Sequence, residues 1–475
     1  MRRRPRAISL VTILATAVAA GCSSSSSGSE PDAGVRSGDA SFEASAPAES
    51  GPGEASAADA PADAAPPAPS AGSTGAFGIV TVNGKQKMYL PSSTTSAAGN
   101  ATIAAVDVGV AGNGVNGAAA LVKSIDLGGS SGATATGGDS SMIVAASTAT
   151  SDVWFIDPTT DTVVKHINLD ATYGQSSFSS GGGYVTGIAA DAATHTAILS
   201  VWNGFALVDL ATQAITKVIQ APPSENFGYD SLHHFIYAPF YDCTSSAAGD
   251  GSAPAACTTA MAPEGGVMPA GLSVIDLSDG TVYTYEDPAA SDPTRPLGSE
   301  PDSAGVDPVS QIVVVPAEND GYESFLDFSK ATFDKAARTV TAPRAVLHTL
   351  QYEGVAVEPT THLVFWAGED SSEVAVASAP QASTGSQSYV AGTMPNLPGD
   401  AGAVFINLGD PHGIAVTASI LNGKPVGFVV DSGRQWVARV DLASLAALEP
   451  PDASAVLTPA ALQAAVTYLD ANTNE

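Results

Sequence analysis

The stretch Val153-Trp-Phe-Ile-Asp-Pro-Thr-Thr-Asp-Thr-Val-Val-Lys-His-Ile167 reads as a strand, an Asp-Pro turn and a second strand. Phe205-Ala-Leu-Val-Asp-Leu-Ala-Thr-Gln-Ala-Ile-Thr-Lys-Val-Ile219 repeats it, and so does Leu272-Ser-Val-Ile-Asp-Leu-Ser-Asp-Gly-Thr-Val-Tyr283. Aligning the turn gives Asp107, Asp157, Asp209, Asp276, Asp327, Ala377 and Asp441, spaced by 50, 52, 67, 51, 50 and 64 residues. The residue before the turn is apolar each time: Val106, Ile156, Val208, Ile275, Leu326, Val376, Val440. Asp suits the turn because its carboxylate accepts backbone N–H groups two residues on.

A second motif precedes the first. Gly187-Ile-Ala-Ala-Asp-Ala-Ala-Thr-His195 is matched by Gly305-Val-Asp-Pro-Val-Ser-Gln311 and Gly354-Val-Ala-Val-Glu-Pro-Thr-Thr-His362, with a weaker copy at Gly413–Val416. An apolar strand follows each. One unit is therefore four short strands in about 50 residues, with turn signals at the strand ends and no helical period. Together these lines resemble the YVTN/NHL-type β-propeller repeat over Gly75–Leu448. The resemblance implies an all-β propeller of four-stranded blades, and the seven turn positions point to seven blades, with six or eight left open by the count. The sixth unit departs from it with Ala377, and the last lacks an obvious fourth strand, so a strand near Phe77–Val82 is expected to complete the ring. Thr458–Asp470 reads as a short helix, with Thr458 as N-cap and Pro459 at the first helical position.

Around this domain the composition is telling. The chain has 475 residues, with Gly 47, Pro 32 and only 6% aromatics. That is too rich in Gly and Pro for a helical bundle and too apolar for a wholly disordered chain. Lys+Arg is 18 against Asp+Glu 48, a net charge of −30, which argues against nucleic acid as a partner. At the N-terminus, Arg2, Arg3, Arg4 and Arg6 precede an apolar stretch from Ala7 to Ala20 that is short for a bilayer span. Val18-Ala-Ala-Gly-Cys22 is similar to the bacterial lipobox. That resemblance implies a signal peptide over 1–21, lipidation of Cys22, and a membrane anchor in the cell envelope. Ser23 after the cysteine favours the outer membrane by the same analogy. Residues 22–74 then form a lipidated cysteine and an acidic Ser/Ala/Pro/Gly linker unable to bury enough surface to order itself. The propeller occupies 75–457 and the helix and tail 458–475.

Two cysteines remain, Cys243 and Cys257, an even pair in an exported chain. A disulfide between them would close a loop of about 15 residues, worth roughly 3 kcal/mol in the chain-entropy model. Gly112-Asn-Gly-Val-Asn-Gly117 matches a dinucleotide fingerprint, but no helix follows, so it reads as a loop. Gly128-Gly-Ser-Ser-Gly132 lacks the strand and helix of a nucleophile elbow and reads as a linker between blades. His233-His234 lacks the spacing of a zinc pair. Trp154, Trp202, Trp366 and Trp436 read as core between blades.

No complete catalytic constellation emerges. The first functional reading is a binding or scaffold module for an envelope protein or glycan partner. The alternative is a propeller enzyme, lactonase-like or quinoprotein-like, with a metal or cofactor at the channel mouth. The Gly-Val/Ile-Ala motif is read as the innermost strand. Acids lie just ahead of it in several units: Glu225, Glu300, Asp302, Glu353 and Asp410, with His412 alongside. Brought together around one axis they would repel unless a cation neutralised them, and oxygen ligation suits Ca²⁺. The bland reading of the same residues is solvated loop acids.

Overall fold

The computed structural model describes residues 77–472 apart from 148–149, 174–184, 202–203, 223, 225, 241–269, 291–295, 299–300, 302, 318–320, 349–351, 353, 369–372, 386–388, 398–415, 432–434 and 449–455. Seven small sheets succeed one another along the chain. Blade 1 is Ile79–Val82, Lys85–Thr95, Ala101–Asp107 and Leu121–Asp126, from inner to outer strand. Blade 2 is Ala135–Gly138, Ile143–Ala146, Asp152–Asp157 and Thr162–Asn168. Blade 3 is Val185–Asp191, Thr196–Val201, Gly204–Asp209 and Ala214–Gln220. Blade 4 is Gly228–Asp230, Phe235–Phe240, Gly271–Asp276 and Thr281–Tyr285. Blade 5 is Gly305–Asp307, Ile312–Ala317, Tyr322–Asp327 and Arg344–His348. Blade 6 is Gly354–Glu358, Leu363–Ala367, Glu373–Ser378 and Tyr389–Thr393, and blade 7 is Val416–Leu421, Lys424–Asp431, Trp436–Asp441 and Val466–Asp470. The ladder within each blade is antiparallel, as the fourfold strand repeat predicts.

The turn aspartates all fall in one place. Asp107, Asp157, Asp209, Asp276, Asp327 and Asp441 each end the third strand of their blade. Asp157 Oδ1 accepts Thr159 N at 2.7 Å, Asp209 Oδ1 accepts Thr212 N at 2.7 Å, and Asp276 Oδ1 accepts Ser278 N at 2.9 Å. The Thr159 hydroxyl holds Asp157 below the ordinary carboxylate range, and the Thr212 amide does the same for Asp209. In blade 6, where Ala377 replaces the aspartate, the chain turns instead into the short helix Ala379–Ala382, with proline in its first turn.

The core is divided among the junctions between blades. Alternate residues of one strand face opposite neighbours: Val153 and Phe155 join the cluster with blade 3, while Trp154 and Ile156 join the cluster with blade 1. Both faces of a blade are covered, so its strands read as unbroken apolar runs rather than as an apolar-polar alternation. Seven such clusters fill the seven junctions, including the one between blades 7 and 1. Fully burying each Val, Leu, Ile or Phe contributes about 1.5–3 kcal/mol.

Ring closure differs from the sequence expectation. Ile79–Val82 is the inner strand of blade 1, not the missing strand of the last blade. The fourth strand of blade 7 is Val466–Asp470, paired antiparallel with Trp436–Asp441. The C-terminal helix is present but covers only Pro459–Leu462, not Thr458–Asp470. Its Leu462 is buried against blade 6 and the last strand. Tyr468 and Leu469 supply opposite junctions, and that two-sided burial outweighs the local helix signal.

Blade 1 also sends a segment back across the seam. Ala118–Ala119 pairs in parallel with the outer strand of blade 7. Arg439 Nη1 donates to Val108 O at 2.7 Å and to Val110 O at 3.1 Å. Gln86 Nε2 donates to Ile420 O at 3.2 Å, and Gln435 Nε2 to Pro91 O at 3.2 Å. The Gly112–Gly117 motif lies in this crossing segment and carries one 3₁₀ turn, Gly114–Asn116, in agreement with its reading as a loop.

Near the axis, glycine lets inner strands approach. A Cβ on Gly137 of blade 2 would sit 2.5 Å from Ile188 Cγ2 and 2.9 Å from Ile188 O of blade 3. Gly129 has open space around it. Gly137→Ala should therefore destabilise by about 1–3 kcal/mol through overpacking, while Gly129→Ala leaves stability unchanged. Urea unfolding of both variants checks this; equal midpoints would reject the close approach of the inner strands.

Candidate functional site

The motif Gly228, Gly305 and Gly354 starts the inner strand in blades 4, 5 and 6, as the sequence predicts. The acids named ahead of it, Glu225, Glu300, Asp302, Glu353 and Asp410, lie outside the described residues, as do His412, Cys22, Cys243, Cys257 and Trp202. Their described neighbours Ser224, Ser303 and Tyr352 are buried. Trp154 and Trp366 are core side chains, as read from the sequence.

The described polar constellation sits at the other end of the inner strands. Each inner strand of blades 2 to 6 ends at or just before a carboxylate: Asp139, Asp191, Asp230, Asp307 and Glu358, all at most 5% exposed. Each first satisfies its own turn. Asp139 Oδ1 accepts Ser141 N at 2.8 Å, and Asp230 Oδ1 accepts both Leu232 N and His233 N at 2.9 Å. Glu358 Oε2 accepts Thr361 N at 2.7 Å.

In Asp139, Asp191 and Asp307 the second carboxylate oxygen then reaches the next blade, whereas Asp230 Oδ2 meets His233 of its own turn and Glu358 gives its two oxygens to Thr360 and Thr361. His195 Nδ1 of blade 3 lies 2.6 Å from Asp139 Oδ2 of blade 2. Tyr229 of blade 4 donates its hydroxyl to Asp191 Oδ2 of blade 3 at 2.9 Å and lies 3.1 Å from His234 Nδ1. His233 Nδ1 meets Asp230 Oδ2 at 2.9 Å, and its Nε2 meets Gln311 Nε2 of blade 5 at 3.0 Å. His362 Nδ1 of blade 6 lies 2.6 Å from Asp307 Oδ2 of blade 5. His195, His234, Gln311 and His362 share one backbone position with φ between 53° and 60°, and each side chain meets a residue of the preceding blade. His233 and His234 thus face different partners.

Blade 1 uses a stronger version. Lys87 Nζ meets Asp161 Oδ2 of blade 2 at 2.7 Å, and Tyr89 donates to Asp161 Oδ1 at 2.6 Å. Both ionic side chains are nearly buried, at 6% and 7% exposure. Burial pushes the Tyr89 hydroxyl up, and its hydrogen bond to Asp161 adds to this. At Asp230 burial also wins: it raises the carboxyl despite the amide and imidazole of His233.

The signal for this belt was present in the quoted motif. An acid and a His or Gln stand four apart at Asp191/His195, Asp230/His234, Asp307/Gln311 and Glu358/His362. The spacing alone suggests a pair within one turn. Only the ring of blades shows that the partner is the neighbour. Chemically, the belt fastens blades: its carboxylate oxygens are taken up by turn amides and by side chains of the adjoining blade.

No protein-family model matches the chain, and no curated protein matches it. Among solved structures it is similar to one described as a complex of KlAtg21 with the coiled-coil of AgAtg16, at 7% identity and TM-score 0.44, covering 78% of this chain and 94% of that one. It is also similar to hydrazine synthase of Kuenenia stuttgartiensis, at 9% identity and TM-score 0.42, covering 78% and 96%. Neither likeness bears on function.

Burial sets the worth of each fastening. Lys87→Met leaves the Asp161 charge without its ion partner inside a junction and should cost about 3–5 kcal/mol. His195 is 60% exposed at its side chain, so removing it opens Asp139 Oδ2 to water, and His195→Ala should cost at most about 1 kcal/mol. Chemical denaturation of the two variants measures the contrast, and equal losses would refute it.

Proposed function

We propose that this chain is an envelope-anchored lipoprotein whose YVTN/NHL-type propeller is a binding or scaffold module for an envelope protein or glycan partner. The observation that carries the reading is a ring of fastened blades whose connections vary widely in length. At one end, the turns after the inner strands hold neighbouring blades together. At the other, the connections range from two residues, 202–203, to thirty, 241–270. A ring whose blades are fastened to one another while its connections differ widely in length suits the display of a recognition surface. The acidic balance, 48 acids against 18 basic residues, points to a partner that is not nucleic acid.

The anchor is tested by Cys22→Ala, which should release the protein from the envelope fraction. Unchanged fractionation would remove lipidation as the anchor.

Ca²⁺ titration by calorimetry tests the channel mouth. If the loop acids hold a cation, the wild type binds Ca²⁺ and the triple variant Glu225→Gln/Asp302→Asn/Glu353→Gln loses most of the signal. Equal titrations, or none with the wild type, would reject a cation site there. Stoichiometric binding lost in the variant would turn the reading toward the metal-dependent enzyme.

A further inference from the structure

The outer strand of a blade is a sheet edge, and an uncovered edge is a template for another strand. Six of the seven edges here are handled in one of two ways. Blades 4, 6 and 7 are covered by the connection that follows the third strand of the next blade. Thr339–Thr341 of blade 5 lies parallel on Thr281–Tyr285 of blade 4. Leu457 bridges in parallel to Gly392 of blade 6, and Ala118–Ala119 lies parallel on blade 7.

Blades 1, 2 and 3 are guarded instead. The connections in blades 2, 3 and 4 are short turns, 158–161, 210–213 and 277–280, which give no strand to the blade before. Each guarded edge carries a register shift against its third strand, between Ala105 and Val106, Phe155 and Ile156, and Leu207 and Val208. Each carries a lysine beside the shift: Lys123, Lys165 and Lys217. Lys123 Nζ reaches Thr160 O of the next blade at 2.9 Å, and Lys165 Nζ reaches Gln213 O at 2.7 Å. A bulge and an edge lysine are devices that oppose strand addition.

Blade 5 has neither. Its outer strand Arg344–His348 pairs with Tyr322–Leu326 in unbroken register. It has no lysine, and Arg344 is turned away to Ser324 Oγ at 3.0 Å and Asp287 Oδ2 at 3.3 Å. The connection of blade 6 contributes the helix Ala379–Ala382 beside it, not a strand. Among the described residues no strand pairs with this edge, and Ala345 and Val346 are half-exposed.

We infer that the outer edge of blade 5 is a docking site for an extended segment of a partner protein, which adds as a parallel strand. The segments that the chain seats on its own edges indicate what fits: Thr-Val-Thr at Thr339–Thr341 and Ala-Ala at Ala118–Ala119, uncharged and small or β-branched. Backbone hydrogen bonds would supply affinity and alternate side chains selectivity. This rests on the binding-module reading and names one surface for it.

The test uses the full chain and a fluorescein-labelled peptide, Ala-Ala-Thr-Val-Thr-Ala. Anisotropy should show saturable binding to the wild type. Val346→Lys, which gives blade 5 the guard of blades 1–3, should weaken it by at least about tenfold. Val346→Thr, which keeps an uncharged β-branched residue, and Val164→Lys, on the guarded edge of blade 2, should bind as the wild type does. Hydrogen exchange should show amides within 344–348 gaining protection when the peptide is added. Absence of saturable binding, equal binding by Val346→Lys, or amides already fully protected without peptide would overturn the proposal. So would sedimentation of the wild type as a dimer that Val346→Lys separates, which assigns the edge to a second copy of the chain. Such failures concern blade 5 alone; the binding-module reading is overturned separately, by stoichiometric Ca²⁺ binding that the triple variant loses.

Discussion

Neighbouring blades share backbone pairing only in short parallel crossings at the rim, so the ring depends chiefly on side chains that meet across each junction. Everything else follows from this constraint. A strand in the middle of a blade must satisfy two neighbours, which is why Val153, Trp154, Phe155 and Ile156 are all fully or almost fully buried although they alternate in direction. It also explains where the buried charges are. A carboxylate at the end of an inner strand can satisfy one oxygen in its own turn, and in blades 2, 3 and 5 the other lies at the boundary between blades. Asp139, Asp191 and Asp307 resolve this with His195, Tyr229 and His362 of the following blade. Buried polar groups without partners cost more than their bonds return, so the belt is a requirement of the junction as much as a bonus.

The same constraint acts at the rim, where the problem is an edge instead of a junction. A connection after the third strand can either turn tightly or travel. Where it turns, at Asp157, Asp209 and Asp276, the preceding blade receives no cover, and its edge carries a bulge and a lysine. Where it travels, as at Val108–Ala120 or Phe328–Pro343, it lays a short parallel strand on the preceding blade. Loop length in one blade thus decides the state of the edge in another. The seam is the clearest case. Ring closure comes from Arg439, Gln86, Gln435 and the Ala118–Ala119 strand acting together, with both seam blades built from consecutive stretches of chain.

The repeated Asp turn and the strand signals around it were legible because they are local. An aspartate that accepts amides two or three residues on needs nothing beyond its own turn, and its spacing marks out the repeating unit. Ala377 broke the pattern, yet its blade formed, because the apolar alternation of Val374, Ala375 and Val376 carries the strand. The last strand was not legible. Thr458-Pro-Ala-Ala-Leu462 has good helix-start chemistry, and the Ala-rich stretch after it prolongs the helical appearance. Val466 to Asp470 becomes a strand because Trp436–Asp441 offers it an edge and because its two faces meet opposite junctions.

The amino-acid sequence by itself determined the repeating four-strand unit, the order of the units and the position of the turn carboxylates, since each is encoded within some 50 residues by contacts of short range, while the tertiary structure settled the count at seven. The tertiary structure decided which blade each carboxylate fastens, how the ring closes and which outer edges stay open. Those outcomes depend on the approach of residues far apart in the chain, such as Gln86 with Ile420 or Asp139 with His195. Two residues four apart look like partners on a line. In a ring their side chains are turned to opposite neighbours, because a strand faces two ways and a closed sheet of blades gives each face a different surface to meet.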